Sequence, residues 1–399
     1  MSLQEEIKIF KKGISEIISD GDLRTRLKEA RRENRPLRIK YGVDPSAPDI
    51  HLGHTVPLHK LSQLQDLGHQ IIFVIGDFTA QIGDPSGTLK KRKQLSEKEV
   101  RQNARTYCSQ IFRILDEQRT EVVFNSEWFN KMHLKDFLRL SSYSTVAQTL
   151  ARADFKERFD KNIDISIMEF FYPLLQAYDS VVLDSDLEIG GTDQKFNLLL
   201  ARELQRDYGK RSQIIITLPL LVGTDGVRKM SKSFNNTIGI NEPANQIYGK
   251  LMSLSDEVAT EYLNIFASLL NWEFSFSEIN SKEKKSELAK RFVSQYYNKK
   301  VAEEVAQEFE LIFKQKRAPV DIPCVEVPPE ETKQKKIWIV RLLQLTNLAN
   351  SGGEARRLIK GGAVFIDNHR CEDTDLEISK KEGILKVGRR FCRYKMRYC

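Results

Sequence analysis

The stretch LRIKYGVDPSAPDIHLGHTVPLHKLSQLQDLGHQIIFVIG, residues 37–76, decides the fold class of this chain. Leu37–Val43 has the pattern of a strand, and the turn-rich DPSAPD leads from it into a helical segment from about His51 to Leu67. Gln70–Gly76 is a short β-branched run, typical of a buried parallel strand. A strand, a helix and a strand at this spacing predict a βαβ unit of a doubly wound α/β sheet.

The rest of the chain predicts further domains around this unit. Gln213–Pro219 is another buried strand pattern, and four prolines interrupt residues 317–336. We therefore expect several successive regions. They are an α/β domain at 1–240 with a helical insertion at about 94–152, an α-helical domain at 241–316, a linker at 317–336 and a small domain at 337–399.

The positive charge is concentrated in the last domain. The net charge is +8, and residues 336–399 hold 14 Lys and Arg against 7 Asp and Glu, whereas the preceding residues hold 49 against 48. Such a surplus can be a solvated face. A whole small domain of one sign favours a polyanionic partner such as nucleic acid.

Composition excludes several classes of protein. With 40% hydrophobic and 30% charged residues the chain is of ordinary globular composition. No apolar run approaches the roughly 20 residues that span a bilayer, and the opening MSLQEEIKIFKK lacks the apolar region of a signal peptide. Five scattered cysteines without a CxxC pair indicate reduced thiols in a cytoplasmic protein and favour neither a disulfide framework nor a zinc site.

Two short motifs predict a nucleotide site. His51-Leu52-Gly53-His54 opens the first helix, where a helix N-terminus favours phosphate. Lys229-Met230-Ser231-Lys232-Ser233 follows a glycine-containing loop, where mobile lysines suit a triphosphate. Alone, the first motif could be packed histidines or half a metal site, and the second a basic loop. Together, in this order and each following a strand, the two motifs are a specific signal of a nucleotide site.

Both motifs resemble the HIGH and KMSKS motifs of the class I aminoacyl-tRNA synthetases. The resemblance implies a Rossmann-like catalytic domain with ATP as substrate. We expect Mg²⁺ to accompany ATP, and because the sequence shows no dedicated metal-ligand cluster, it leaves the protein ligands to Mg²⁺ open. The resemblance assigns catalysis to four side chains: His51, His54, Lys229 and Lys232. It assigns ATP binding to Gly53, Gly191, Asp193, Leu221, Val222 and Lys232.

The substrate amino acid is predicted from Tyr172, Gln176 and Asp179, which fall on one stripe of a helix. Such a stripe could be solvated, but its neighbours are apolar, and a buried carboxylate needs a partner. The stretch resembles the YxxxQxxD helix of the tyrosyl-tRNA synthetases, and GGTDQ at 190–194 resembles another segment of that family. The resemblance implies that Asp179 accepts the tyrosine phenol. The implied tyrosine-binding set is Asp44, Asp84, Tyr172, Gln176, Asp179 and Gln194.

Two positions depart from that family's pattern. Lys40 stands where many bacterial members carry a tyrosine near the substrate phenol, and Glu188 stands where many have glutamine. The sequence therefore leaves open which residue contacts the phenol of the substrate from this side.

The basic C-terminal domain resembles an S4-type RNA-binding domain. Residues 355–368 have the pattern of a basic helix, a glycine turn and a strand, and in residues 388–397 basic residues alternate with Phe391 and Tyr394. Basic groups bind phosphate and aromatic rings can stack on unpaired bases. An ordinary α/β domain with a solvated basic face is the alternative. The implied RNA-binding residues are Arg356, Arg357, Lys360, Arg389, Arg390 and Arg393.

The resemblance as a whole implies a cytoplasmic, homodimeric enzyme that joins L-tyrosine to tRNA(Tyr) through an adenylate made from ATP. Two alternatives stay open from the sequence. One is a tryptophanyl-tRNA synthetase, which shares the fold and both nucleotide motifs. The other is a non-catalytic RNA-binding protein on a synthetase scaffold.

Overall fold

The computed structural model describes residues 1–85, 95–272, 280–314, 322–332, 335–367, 369–388 and 390–397. The chain forms two compact units, Met1–Asn298 and Lys299–Cys399. Ser86 and Gly87, which end the predicted IGDPSG segment, Arg389, and residues 317–321 and 333–334 of the predicted linker lie outside the described residues.

The first unit is built on a sheet in which six described strands run in the order β1-β6-β5-β2-β3-β4. The strands are β1 (Glu16–Ile18), β2 (Arg38–Val43), β3 (Gln70–Ile75), β4 (Thr120–Phe124), β5 (Leu187–Gly191) and β6 (Ile214–Leu218). β2 to β6 are parallel, and β1 closes the edge antiparallel to β6. The predicted doubly wound α/β sheet is confirmed.

Helices cover the sheet, so β3 and β6 are apolar almost throughout and buried on both faces. The helices of this unit are α1 (Leu3–Lys11), α2 (Asp20–Arg32), α3 (Leu52–Asp66), α4 (Glu97–Ile111), α5 (Ser126–Phe129), α6 (Leu134–Ser141), α7 (Val146–Leu150), α8 (Ala153–Asp160), α9 (Ile167–Leu183), α10 (Lys195–Asp207), α11 (Ala244–Met252), α12 (Asp256–Leu270) and α13 (Ser281–Tyr296).

Residues 94–152, expected to be a helical insertion, also contain the sheet strand β4. Its Val122 and Val123 pair with Phe73 and Val74 of β3. The strand is only five residues long and lies between a 3-10 turn and α5. It therefore offers too short a pattern to separate from the surrounding helical sequence.

The helices after residue 240 divide between the two units. α11 to α13 belong to the first unit, and α12 packs on α3: Phe266 meets His59 edge to face at 6.1 Å between ring centroids. The helix α14 (Lys299–Lys314) belongs to the second unit. The division of the chain at 240/241 and 316/317 stays a prediction.

The second unit contains a mostly antiparallel sheet of order β10-β9-β12-β13-β7 among its described strands. Its remaining elements are β7 (Cys324–Val327), β8 (Ile337–Trp338), α15 (Ile339–Leu345), α16 (Gly352–Lys360), β9 (Val364–Ile366), β10 (His369–Arg370), β11 (Glu377–Ile378), β12 (Glu382–Val387) and β13 (Arg390–Met396). The expected basic helix, turn and strand are thus α16 and β9. Leu342, Leu343 and Tyr394 lie in the core of this unit.

A search of the described helices finds none long and apolar enough to cross a membrane.

Candidate active site

A cleft of about 250 Å³ opens at the carboxyl ends of the parallel strands. It lies where β2 and β5 are neighbours and the chain turns to opposite sides of the sheet, the usual ligand crevice of a doubly wound fold. Among the residues predicted to catalyse or to bind ATP and tyrosine, all line this cleft except Val222. The carbonyl of Val222 accepts a hydrogen bond from the Tyr262 hydroxyl.

The two histidines of the first motif stack on each other at the start of α3. Their ring centroids are 3.8 Å apart, and the backbone N–H of His51 donates to Nδ1 of His54 at 3.3 Å. Burial, together with nearby lysine charge, holds the pKa of His51 well below its usual value and lowers the pKa of His54 to about 4. Both imidazoles are therefore neutral at pH 7.

The lysines of the second motif reach the same cleft from a hairpin. Met230 N–H donates to the carbonyl of Leu221 at 2.7 Å, and Val222 pairs with Lys229 as an antiparallel bridge. Lys229 Nζ donates to Asp193 Oδ2 at 2.6 Å. Lys232 Nζ is buried without a hydrogen-bond partner among the described residues, and burial lowers its pKa. A buried ammonium without a partner is suited to an anionic ligand.

Two glycines keep the cleft open for a ligand to approach the backbone. A Cβ at Gly53 would lie 3.0 Å from the His51 ring, and one at Gly191 would lie 2.6 Å from Asp193 Oδ1 and 2.7 Å from Leu220. Side chains at these positions would therefore displace the groups that line the nucleotide end of the cleft.

Asp179 lies at the opposite end and is 4% exposed. Trp128 Nε1 donates to its Oδ1 at 3.0 Å, and the Asn125 side chain also hydrogen-bonds to the carboxylate. Burial raises the pKa of Asp179 to about 7, opposed by the Lys40 charge and by these two hydrogen bonds. The carboxylate is thus an enclosed acceptor in a largely apolar surrounding.

The remaining predicted tyrosine-binding residues form a hydrogen-bonded network between Asp179 and the nucleotide end. Asp44 accepts from the Tyr172 hydroxyl at 2.9 Å and from Thr79 Oγ1 at 2.7 Å. Gln194 Nε2 donates to Asp84 Oδ2 at 2.9 Å. The network concentrates oxygen acceptors where a ligand's ammonium group could be placed.

Sequence reasoning missed several residues of this network. Asn197 Nδ2 donates to Gln176 Oε1 at 2.8 Å and to Gln194 Oε1 at 3.0 Å, so it orients both amides. Asn125 and Trp128 support Asp179. Asn197 lies three positions after Gln194 on α10, a helical spacing that could have signalled it. Asn125 and Trp128 follow β4, the strand that was itself missed.

The two departures from the family pattern are in direct contact. Lys40 and Glu188 are paired across β2 and β5, and Lys40 Nζ lies 2.9 Å from Glu188 Oε1. Both side chains are buried, at 0% and 2% exposure. The Lys40 side chain also contacts α9, because Nζ donates to the Gln176 carbonyl and to Ser180 Oγ. Its ammonium group is therefore occupied by acceptors of the protein and is not reserved for a ligand.

In the second unit the described members of the predicted RNA-binding set are exposed. Arg356 stacks over the Trp338 ring at 5.0 Å, and Arg390 Nη2 donates to the Leu348 carbonyl at 2.7 Å. The expectation that Tyr394 could stack on a base is wrong, because the alternation of β13 buries its ring completely while Phe391 stays partly exposed.

A family model described as tRNA synthetases class I (W and Y) matches residues 32–314, the part of the chain that carries the parallel strands β2 to β6 and the residues lining the cleft. The fold and the cleft are therefore those of a class I aminoacyl-tRNA synthetase. A second model, described as the tyrosine–tRNA ligase SYY-like C-terminal domain, matches residues 320–391.

Curated relatives narrow the class. The tyrosine–tRNA ligase of Carboxydothermus hydrogenoformans is 46% identical over 397 residues, covering 97% of each chain, and that of Coxiella burnetii is 46% identical over 99% of this chain and 100% of the relative. The chain belongs to the tyrosine–tRNA ligase family. The solved structure of a C-terminally truncated mitochondrial tyrosyl-tRNA synthetase from Aspergillus nidulans has the same fold as this chain, with a TM-score of 0.62. The two are 23% identical, and the match covers 78% of this chain and 94% of that one.

Proposed function

We propose that this chain activates L-tyrosine with ATP, giving tyrosyl-adenylate and pyrophosphate, and then transfers the tyrosyl group to the 3′ end of tRNA(Tyr). The observation that carries the proposal is a buried carboxylate, Asp179, in the lining of a cleft that His51, His54 and Lys232 also line. Family membership and the SYY-like C-terminal match favour tyrosine over tryptophan.

Tyrosine recognition rests on Asp179. Its carboxylate accepts a hydrogen bond from the phenolic hydroxyl, with Trp128 and Asn125 fixing its orientation. Phenylalanine would leave this acceptor buried without its partner, which is costly. A site built for a hydroxyl rejects the analogue lacking it by about 10⁵, a value that comes from tyrosyl enzymes themselves.

The other end of tyrosine meets the polar network. The ammonium group binds Tyr172, Gln176 and Asp84, and Gln194 lies near the carboxylate. Asp44 supports this end through its hydrogen bond to Tyr172. The network thus directs the carboxylate of tyrosine toward the nucleotide end of the cleft.

Activation needs alignment and charge stabilisation more than acid or base catalysis. The ionised carboxylate of tyrosine attacks the α-phosphorus of ATP, the bond to the bridging oxygen breaks, and pyrophosphate leaves. Neutral His51 and His54 donate hydrogen bonds to phosphate oxygens, and Lys232 neutralises charge that grows on pyrophosphate. Losing one such donor costs about 3 kcal/mol in the barrier.

The ribose and adenine of ATP lie along the opposite wall. Gly191 and Asp193 contact the ribose, Gly53 gives the adenine access to the backbone, and Leu221 lines the pocket beside it. Lys229 pairs with Asp193, so its catalytic role requires it to exchange this carboxylate for phosphate. Val222 contributes only through the hairpin that it shares with Lys229.

Magnesium enters this scheme as part of the substrate, bound to the phosphates of ATP. Among the described residues no group of three or more His, Cys, Asp or Glu side chains could hold a metal ion.

The second unit binds tRNA through α16 and β13. Arg356, Arg357 and Lys360 project from one basic helix, and Arg393 projects from β13. Arg389 belongs to the same proposed set. We further propose a cytoplasmic location for this chain, where tRNA is charged.

We also propose a homodimer. Several apolar side chains of α6 to α9 are exposed, among them Leu134 at 73% and Ile167 at 75%. Exposed apolar surface of this kind is typical of interaction sites. Sedimentation of the purified chain as a monomer at micromolar concentration would contradict the dimer.

The test of the proposed function is exchange of labelled pyrophosphate into ATP with tyrosine, tryptophan or phenylalanine as the amino acid. We expect exchange with tyrosine and, at the same concentration, far less with the other two. Exchange dependent on tryptophan would establish the alternative substrate, and the absence of amino-acid-dependent exchange would favour a non-catalytic RNA-binding protein.

A further inference from the structure

The buried ion pair of Lys40 and Glu188 has no place in the activation step above, yet it lies directly behind the tyrosine end of the cleft. Lys40 is on β2 and Glu188 on β5, the two central strands between which the crevice opens. Neither side chain is exposed by more than 2%. Burying two charges is expensive unless all their hydrogen-bonding groups are satisfied.

The three protons of the Lys40 ammonium are fully used. Nζ lies 2.9 Å from Glu188 Oε1, donates to Ser180 Oγ at 2.8 Å and donates to the Gln176 carbonyl at 3.0 Å. Ser180 Oγ in turn donates to Glu188 Oε2 at 2.9 Å. Lys40, Glu188 and Ser180 therefore close a ring of hydrogen bonds that joins both strands to α9.

The part of α9 that this ring holds is the turn that recognises tyrosine. Gln176, whose carbonyl accepts the hydrogen bond from Lys40, and Ser180 are one helical turn apart, and Asp179 lies between them. The side chain of Gln176 points into the cleft. A displacement of this turn would move the phenol acceptor and an ammonium contact together.

We propose that Lys40 and Glu188 are a coupled positioning pair that anchors the Gln176–Ser180 turn of α9 to the central strands and thereby sets the affinity and selectivity for tyrosine. This inference rests on the proposed function. It assigns a joint role to two buried charges that compensate each other directly.

The pair also acts on Asp179 through charge, with opposite signs. The Lys40 ammonium lowers the pKa of Asp179 and the Glu188 carboxylate raises it. Asp179 is further held by hydrogen bonds from Trp128 and Asn125. Removing the two charges one at a time should consequently shift the titration of Asp179 in opposite directions.

The test compares the full-length chain with Lys40→Met, Glu188→Gln and the double variant in tyrosine-dependent pyrophosphate exchange. Arg26→Met is the matched control, since Arg26 is a buried cation, 2.8 Å from Asp186 and 3% exposed, on α2 away from the cleft. KM is measured separately for tyrosine and ATP, kcat/KM for tyrosine is followed from pH 5.5 to 9, and thermal unfolding is recorded for every variant.

We expect Lys40→Met to raise the KM for tyrosine about 10-fold or more and to leave the KM for ATP within about two-fold. The low-pH limb of its kcat/KM profile should move to higher pH, and that of Glu188→Gln to lower pH. Arg26→Met should lose stability without any change specific to tyrosine. The double variant should regain stability, because no charge is buried alone, but keep a raised KM for tyrosine, because the hydrogen bonds to α9 are gone.

The proposal is overturned if folded Lys40→Met has the wild-type KM for tyrosine, if it affects tyrosine and ATP equally as a general lesion would, or if the double variant binds tyrosine normally. Should Lys40→Met not fold, the isosteric Glu188→Gln variant decides: a raised KM for tyrosine with an unchanged KM for ATP supports the pair, and a wild-type KM for tyrosine refutes it. A wild-type chain without tyrosine-dependent exchange would instead refute the proposed function, and this inference with it.

Discussion

Replacing Asp179 with asparagine should have opposite effects on tyrosine binding and on the stability of the fold. The carboxylate is 4% exposed, so its charge is available to the ligand but is costly to bury in the folded protein. Asparagine keeps the shape and one carbonyl oxygen, which can still accept from Trp128, but it removes the charged acceptor offered to the phenol. A hydrogen bond to a charged group contributes about 1.5–3 kcal/mol. We therefore expect kcat/KM for tyrosine to fall about 10- to 150-fold.

The same substitution should stabilise the protein at alkaline pH. The pKa of Asp179 rises from 3.8 to about 7 on folding, so the group favours the folded state below pH 4, and this contribution is lost as pH rises through 7. At pH 8 the ionised carboxylate opposes folding by at most about 4 kcal/mol. Asparagine carries no charge at any pH, so its stabilising effect should be large at pH 8 and small at pH 4.

The assay is pyrophosphate exchange with tyrosine and with phenylalanine, beside thermal unfolding at both pH values. The KM for ATP is the internal control and should not change. The preference for tyrosine over phenylalanine should decrease, because bound phenylalanine would no longer leave a buried carboxylate without a phenolic hydrogen-bond donor. An unchanged preference, or a variant less stable than wild type at pH 8, would refute the reasoning.

Other substitutions test the nucleotide end and the second unit. Lys232→Ala should slow adenylate formation about 10²-fold at saturating substrate without raising the KM for tyrosine; single-turnover kinetics checks this, and an unchanged rate excludes the assigned role. Gly53→Ala should raise the KM for ATP, because its Cβ would lie 3.0 Å from the His51 ring; wild-type ATP kinetics would contradict the close approach. Charge reversal of Arg356 and Arg357 to glutamate should leave pyrophosphate exchange intact and weaken tRNA charging, an effect that should diminish as salt is raised; normal charging would remove α16 from the tRNA site.

The sheet could be predicted because several of its parallel strands carry strong local signals. Gln70–Ile75 and Ile214–Leu218 are apolar almost throughout, and the helix between β2 and β3 begins at a recognisable motif. β1 and β4 could not be predicted in this way. β1 is three residues long and β4 five, and both lie at edges, where pairing with a neighbour and not the local pattern fixes the strand.

The site residues that belong to recognisable sequence motifs could be predicted. His51, Lys232 and Asp179 are separated by long stretches of chain. The family resemblance predicted that they belong to one site, and the structure places all three in the lining of the same cleft. Trp128 and Asn197 belong to no motif, so their contacts to Asp179 and Gln176 depend on tertiary packing alone. The Lys40–Glu188 pair is of the same kind: two unusual residues were visible separately, but their contact required the strand register.

The most direct test of the account is a crystal structure of the chain with L-tyrosine and a non-hydrolysable ATP analogue. The account predicts the phenolic oxygen about 2.5–2.7 Å from an Asp179 carboxylate oxygen, the distance of a charge-assisted O–H···O bond, with the ammonium group near Asp84 and the α-phosphate facing His51. A phenol bound to another acceptor, or tyrosine bound outside this cleft, would contradict it.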